Sequence, residues 1–216
     1  MLRNPIDRVI SNYYFILEQP EHYLHKEVVS KTMDLKTFVL SGVSTEQDNG
    51  QTRRIAGVSI GRLQGRKQVD HGCCTTEILE SAKKNLESNF SIIGLTERFD
   101  ETLFLLKKAY NWSLPLYYHR GNKTKRRPKM KEIPKDTINA IRDFNKFDLE
   151  LYEWAKVLFE RQLEQFEISK QQLANFQKLN KYYQKSPLFS SSVQRIRVLR
   201  QRGYIKTIKM AATKYL

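Results

Sequence analysis

The chain has 216 residues, 40% of them hydrophobic, and its 38 Lys and Arg against 23 Asp and Glu leave a net charge of +15 and an isoelectric point near 9.8. That is enough apolar material for a sizeable core, which excludes a disordered polymer, and no run approaches the roughly 18 apolar residues of a membrane helix. The two cysteines, Cys73 and Cys74, are adjacent; they staple no loop and, without a second pair, make no zinc site, so buried thiols in a reducing compartment and no metal are expected.

Leu2 reads as the end of a buried strand that turns sharply into a helix. Ile6, Val9, Ile10, Tyr13, Tyr14 and Leu17 recur at helical spacing on one face, with Pro5 where a first turn tolerates it. Arg3 and Ser11 fall off that stripe. A helix N-terminus offers unpaired N–H groups and partial positive charge, so an added guanidinium and hydroxyl make a phosphate site. The competing reading is an amphipathic helix with a solvated arginine.

Lys36 to Leu40 starts a short helix. The stretch Gly42 to Gly72 is polar, with one helical start at Gln51–Ile55, and its glycines end in no Gly-Lys-Ser/Thr phosphate loop. Loops of that length usually do something, and His71 sits there able to face a substrate. Thr75 or Thr76 caps a helix carrying Ile78, Leu79, Ala82 and Leu86, and Phe90–Leu95 reads as a short buried strand. Helix followed by buried strand implies a parallel sheet. Thr96 caps the next helix, with Phe99, Leu103, Leu106 and Tyr110 as its core stripe and Glu97 in its first turn, where the helix dipole favours it.

Between Tyr117 and Lys135 eight Lys and Arg face one acid, Glu132, a density that calls for solvent or an anion. Pro134 opens a helix to about Phe144. A long one follows with Asp148 as N-cap and Leu151, Ala155, Leu158, Phe159, Leu163 and Phe166 as its apolar stripe, Trp154 reading as packing. From Lys178 to Leu216 ten Lys and Arg meet no acid, and the interleaved tyrosines suit nucleic acid or an anionic lipid surface.

Five strings occur in order: Leu2–Ser11, Asn49-Gly50-Gln51-Thr52-Arg53, Ala82–Leu86, Gly94–Glu101 and Phe147–Tyr152. Together they resemble sulfotransferase family 2, carbohydrate sulfotransferases that include the heparan sulfate 2-O-sulfotransferases, over residues 1 to 160. The resemblance implies an α/β fold, a three-layer, P-loop-kinase-like parallel sheet with helices on both faces, spanning 1–165 and followed by a basic helical tail, 166–216. It implies 3′-phosphoadenosine 5′-phosphosulfate as co-substrate, with Arg3 and Ser11 on its 3′-phosphate and Arg120, Asn122, Lys123 and Thr124 near that phosphate and the adenosine. Arg53 becomes an acceptor or cofactor contact, set against a solvated arginine at a helix end; Arg53 and His71 are the acceptor-side residues. The family's first strand, phosphosulfate loop and catalytic base are expected upstream of Met1, which makes the chain inactive alone. A carbohydrate or polysaccharide acceptor, no metal, a cytoplasmic location and contact of the tail with polyanions or a membrane surface complete the expectation. The alternative is a non-enzymatic basic helical protein that binds nucleic acid or another polyanion.

Overall fold

The computed structural model describes residues 1–58, 69–112, 118 and 127–185, the side chains of Tyr183 and Lys185 excepted. Its regular elements are α1 (Pro5–Glu18), α2 (His25–Ser30), α3 (Leu35–Leu40), α4 (Gly50–Ile55), α5 (Thr76–Asn89), α6 (Phe99–Ala109), α7 (Lys135–Phe144), α8 (Lys146–Gln165) and α9 (Lys170–Lys185). Short 3₁₀ turns at Thr45–Gln47, Thr96–Arg98 and Met130–Glu132 join them. The chain divides into two compact units, one of residues 1–112 and 122–168 and the other of 113–121 and 169–216. Among the described residues no helix is long and apolar enough to cross a membrane.

The first unit holds two apolar clusters. In one, α1 lays Ile6, Val9, Ile10, Tyr13 and Ile16 against Val28 of α2, Leu35 and Phe38 of α3, and Ile141 of α7. Burying each of the large aliphatics contributes about 1.5–3 kcal/mol. Asn4 caps α1 by accepting from Asp7 N at 3.1 Å, and Pro5 occupies the first turn, as its fixed φ favours. In the other cluster Leu79, Ala82 and Leu86 of α5 meet Phe147, Leu151, Ala155 and Phe159 of α8 around Leu2, Leu95 and Leu105.

The expected parallel sheet comes down, among the described residues, to one parallel bridge between Leu2 and Leu95. Leu2 N donates to Gly94 O and Thr96 N to Leu2 O, both at 2.8 Å. The backbone that a further strand would pair is taken by side chains: Ile93 N by Gln162 Oε1, Ser91 O by Gln162 Nε2, and both Leu95 N and Leu95 O by the Thr102 hydroxyl. Phe90, placed in the buried strand by its pattern, is 45% exposed.

Two helix starts also differ from expectation. Thr96 opens a 3₁₀ turn and spends its hydroxyl on Leu2 O instead of capping α6. In the helix that follows, Thr102 and Leu105 are the buried residues while Tyr110 stands 55% exposed. Asp148 lies inside α8 rather than at its cap.

In the second unit α9 holds Tyr118, whose N–H donates to Asn180 Oδ1 at 3.1 Å and whose carbonyl accepts from Gln184 Nε2 at 3.3 Å. Residues 186–216, most of the basic tail, lie outside the described residues.

Candidate anion-binding site

The turn from Leu2 into α1 is gripped residue by residue. Leu2 is bridged to Leu95. The Gln51 amide clamps the Arg3 backbone from both sides, its Oε1 accepting from Arg3 N at 2.8 Å and its Nε2 donating to Arg3 O at 2.9 Å. Asn4 N donates to Glu97 Oε1 at 2.8 Å, and Glu97 Oε2 accepts from the Tyr152 hydroxyl at 2.9 Å. Burial, and then that bond to a carboxylate, push the Tyr152 phenol well above its ordinary value, so it stays a donor. Glu97 is thus a strut rather than a dipole partner of its own helix.

Gln51 is itself held by an exchange of caps. Asp148, fully buried, accepts from Gln51 N at 3.1 Å, from Thr52 N at 2.7 Å and from the Thr52 hydroxyl at 2.8 Å, so it caps α4 instead of α8. Asn49, in the left-handed region at φ 50°, returns the service: its Oδ1 accepts from Phe147 N at 2.8 Å and Asp148 N at 3.1 Å, at the start of α8. The far end of α4 is closed by Asn85, whose Nδ2 donates to Ile55 O at 2.9 Å. Four of the five strings noted in the sequence therefore meet around Arg3, while the Ala82–Leu86 string is tied by Asn85 to the far end of α4.

On the outer side of this turn two guanidinium groups converge. Asp7 Oδ2 accepts from Arg3 Nε at 2.7 Å and from Arg3 Nη2, and Asp7 Oδ1 accepts from Arg127 Nη2. Partial burial would raise the Asp7 carboxyl, but the hydrogen bonds and charges of Arg127 and Arg3 outweigh it and hold the group below its ordinary value. Ser11 is one turn beyond Asp7 on the same face, about 6 Å further along the axis, and is half-buried. The forked guanidinium groups and the hydroxyl are donors a phosphate takes; the first turn of α1 adds little, since Pro5 has no N–H, Asp7 N is capped by Asn4 and Arg8 N donates to Asn4 O.

Arg53 sits elsewhere, fully enclosed. Its Nε donates to Asp48 O at 2.8 Å, Nη1 to Val69 O at 2.6 Å, and Nη2 to Asp70 O at 2.8 Å and to the Asp48 carboxylate. It is not the solvated helix-end arginine of the competing reading: four of its five N–H groups tie residues 69–70 to the start of α4. His71 follows directly, its ring 4.6 Å from that of Phe144, and its Nε2 is buried without a hydrogen-bond partner among the described residues. Arg120, Asn122, Lys123 and Thr124 lie outside the described residues. Trp154 packs beneath the Lys83 ammonium, 5.8 Å from the ring centre. Cys73 is exposed, whereas burial pushes the Cys74 thiol up to about 11. Among the described residues no group of His, Cys, Asp and Glu is arranged to hold a metal ion.

Sequence reasoning passed over Gln51, Asp7 and Arg127 as site residues. The four-residue step from Arg3 to Asp7 is a readable ion-pair spacing; nothing local marks Gln51 or singles out Arg127 from its basic neighbours.

A family model described as galactose-3-O-sulfotransferase matches residues 2–214, so the match runs through the tail that was expected to lie beyond it. Heparan-sulfate 6-O-sulfotransferase 2 of Danio rerio is 33% identical over 125 residues, 58% of this chain and 25% of that protein. Human heparan-sulfate 6-O-sulfotransferase 1 is 32% identical over 53% of this chain and 27% of its own length. The heparin sulfate O-sulfotransferase of Drosophila melanogaster is 28% identical over 86% of this chain and 52% of its own length. The chain thus spans between a quarter and about half of the curated relatives it matches. No solved structure matches it.

Proposed function

Because a match over nearly its whole length makes the chain a member of the galactose-3-O-sulfotransferase family, we propose that it carries the nucleotide-holding part of a carbohydrate sulfotransferase site. The donor on this reading is 3′-phosphoadenosine 5′-phosphosulfate, whose sulfuryl group passes to a carbohydrate hydroxyl. Arg3, Arg127 and Ser11 hold the 3′-phosphate; Arg120, Asn122, Lys123 and Thr124 extend the contact toward the adenosine; His71 faces the acceptor side. Arg53 serves that side by fixing Val69 and Asp70, the residues that lead into His71.

What carries the proposal is the convergence of two guanidinium groups at the N-terminus of α1, on a backbone that Gln51 and Glu97 hold still. Transfer of a sulfuryl group in line, by analogy with phosphoryl transfer, asks the protein for position and charge neutralisation. A clamp on the 3′-phosphate supplies position at a distance from the reacting sulfur. The Leu2–Leu95 bridge fits a strand pair of a larger parallel sheet, the three-layer, P-loop-kinase-like arrangement. The relatives' names support a heparan-type polysaccharide as acceptor; the sequence strings assign no hydroxyl position, and the relatives above that name one name 6-O transfer.

Calorimetry on the 216-residue chain tests the reading. Adenosine 3′,5′-bisphosphate is expected to bind more tightly than adenosine 5′-monophosphate, and Arg3→Ala to lose about 1.5–3 kcal/mol, roughly ten- to a hundredfold. Equal affinity for the two nucleotides rejects it.

A further inference from the structure

Arg3 and Arg127 stand 124 residues apart in sequence, yet they end on opposite oxygens of one carboxylate. Two guanidinium groups brought that close repel each other unless an anion lies between them. The carboxylate leaves part of each fork free: among the described residues, Arg3 Nη1 and Arg127 Nε and Nη1 donate to no protein acceptor. All three side chains are partly exposed, with 29% of Arg3, 28% of Asp7 and 19% of Arg127 open to solvent. The local charge of the trio is one net positive, and the arginine forks are held at a fixed spacing before any ligand arrives.

We propose that Asp7 is a positioning residue that gathers Arg3 and Arg127 into a single clamp for a dianionic phosphate, a role that rests on the phosphate-site reading above. Asp7 does not touch the ligand. It removes the mutual repulsion of the two cations and fixes their planes, so that a phosphate meets preset donors and orders fewer side chains on binding. The opposite role, a resident carboxylate that competes with phosphate for the same donors, predicts the opposite sign for its removal.

The experiment is calorimetry on the full chain with adenosine 3′,5′-bisphosphate and adenosine 5′-monophosphate, for the parent and for Asp7→Asn, Asp7→Glu, Arg127→Ala and the double variant Asp7→Asn/Arg127→Ala. Asp7→Asn is expected to weaken the bisphosphate about tenfold while binding of the monophosphate is unmoved, and Asp7→Glu, which keeps the charge, to recover most of the loss. The double variant should lose clearly less than the sum of the two single losses, since Asp7 acts in part through Arg127 and in part through Arg3. Bisphosphate binding by Asp7→Asn that is unchanged or tighter, with the parent's preference intact, overturns the proposal. So does an equal loss for both nucleotides, which marks a general structural defect. If Asp7→Asn fails to fold, Asp7→Glu and Arg127→Ala carry the comparison: clear loss in Arg127→Ala with retention in Asp7→Glu supports the clamp, and retention in both removes it. A parent protein without preference for the bisphosphate rejects the functional reading itself, a result read before any variant is made.

Discussion

Replacing Asp148 by Ala strikes the junction that secures Gln51, and with it the Arg3 backbone. The substitution strips acceptors from Gln51 N, Thr52 N and the Thr52 hydroxyl in a place closed to water. Each buried N–H left without a partner costs about 1–3 kcal/mol. The Arg8 guanidinium, 3.6 Å from Asp148 Oδ2, also loses a neighbouring charge. The sum is about 3–5 kcal/mol, the range seen when one member of a buried charged network is removed. For a unit of this size each kcal/mol lowers Tm by about 2–4 °C, so a fall of about 10 °C is expected by circular dichroism. Asp148→Asn keeps the shape and one acceptor oxygen and should lose about half as much. Asn49→Gly keeps the left-handed backbone and removes the returning cap together with the 2.8 Å bond from Asn49 Nδ2 to Asp48 Oδ1. Because the two caps serve one junction, the double variant Asn49→Gly/Asp148→Ala should fall short of the summed losses by about 1 kcal/mol or more. A Tm for Asp148→Ala within about 2 °C of the parent, or full additivity in the double variant, refutes the reciprocal cap.

A Cβ at Gly94 would collide with Thr102 Cγ2 and lie 2.8 Å from Met1 Cγ. The Thr102 hydroxyl is pinned between Leu95 N and carbonyls of Leu95 and Arg98, so the side chain cannot swing away and Gly94→Ala should cost about 1–3 kcal/mol in urea unfolding. At pH 8 Cys73, exposed, should be alkylated first. Cys74, raised to about 11, holds only about one part in a thousand as thiolate at that pH, and mass spectrometry of singly labelled protein should place the label at Cys73; label chiefly at Cys74 contradicts the burial.

Elements whose signal is local were legible from the residues. The Pro5 start and apolar stripe of α1, the short helices at 35–40 and 50–55, α5, and the helix behind Pro134 stand where spacing puts them, though Thr75 precedes α5 without a side-chain cap bond. Pairings between distant parts of the chain were not. Phe90–Leu95 has the composition of a strand, but a strand needs a neighbour, and Gln162 and Thr102 supply its bonds instead. Asp148 has the composition of an N-cap and does cap a helix, though one almost a hundred residues earlier. Arg53 shows the same limit: no spacing rule separates a solvated arginine from one enclosed by the carbonyls of Asp48, Val69 and Asp70. The order of the five strings was visible; that four of them meet at one turn was not, because the Gln51, Glu97 and Asp148 side chains reach across the fold to do it.

The six residues of α4 are too few to persist as a helix in water. Asp148 secures one end and Asn85 the other, and these come from α8 and α5. The helix therefore depends on both larger helices, and the grip of Gln51 on Arg3 depends on them in turn. It is also among the first to go when either neighbour loosens. The packing of α5 and α8 is thereby felt at the Arg3 backbone, through α4 and the Gln51 amide.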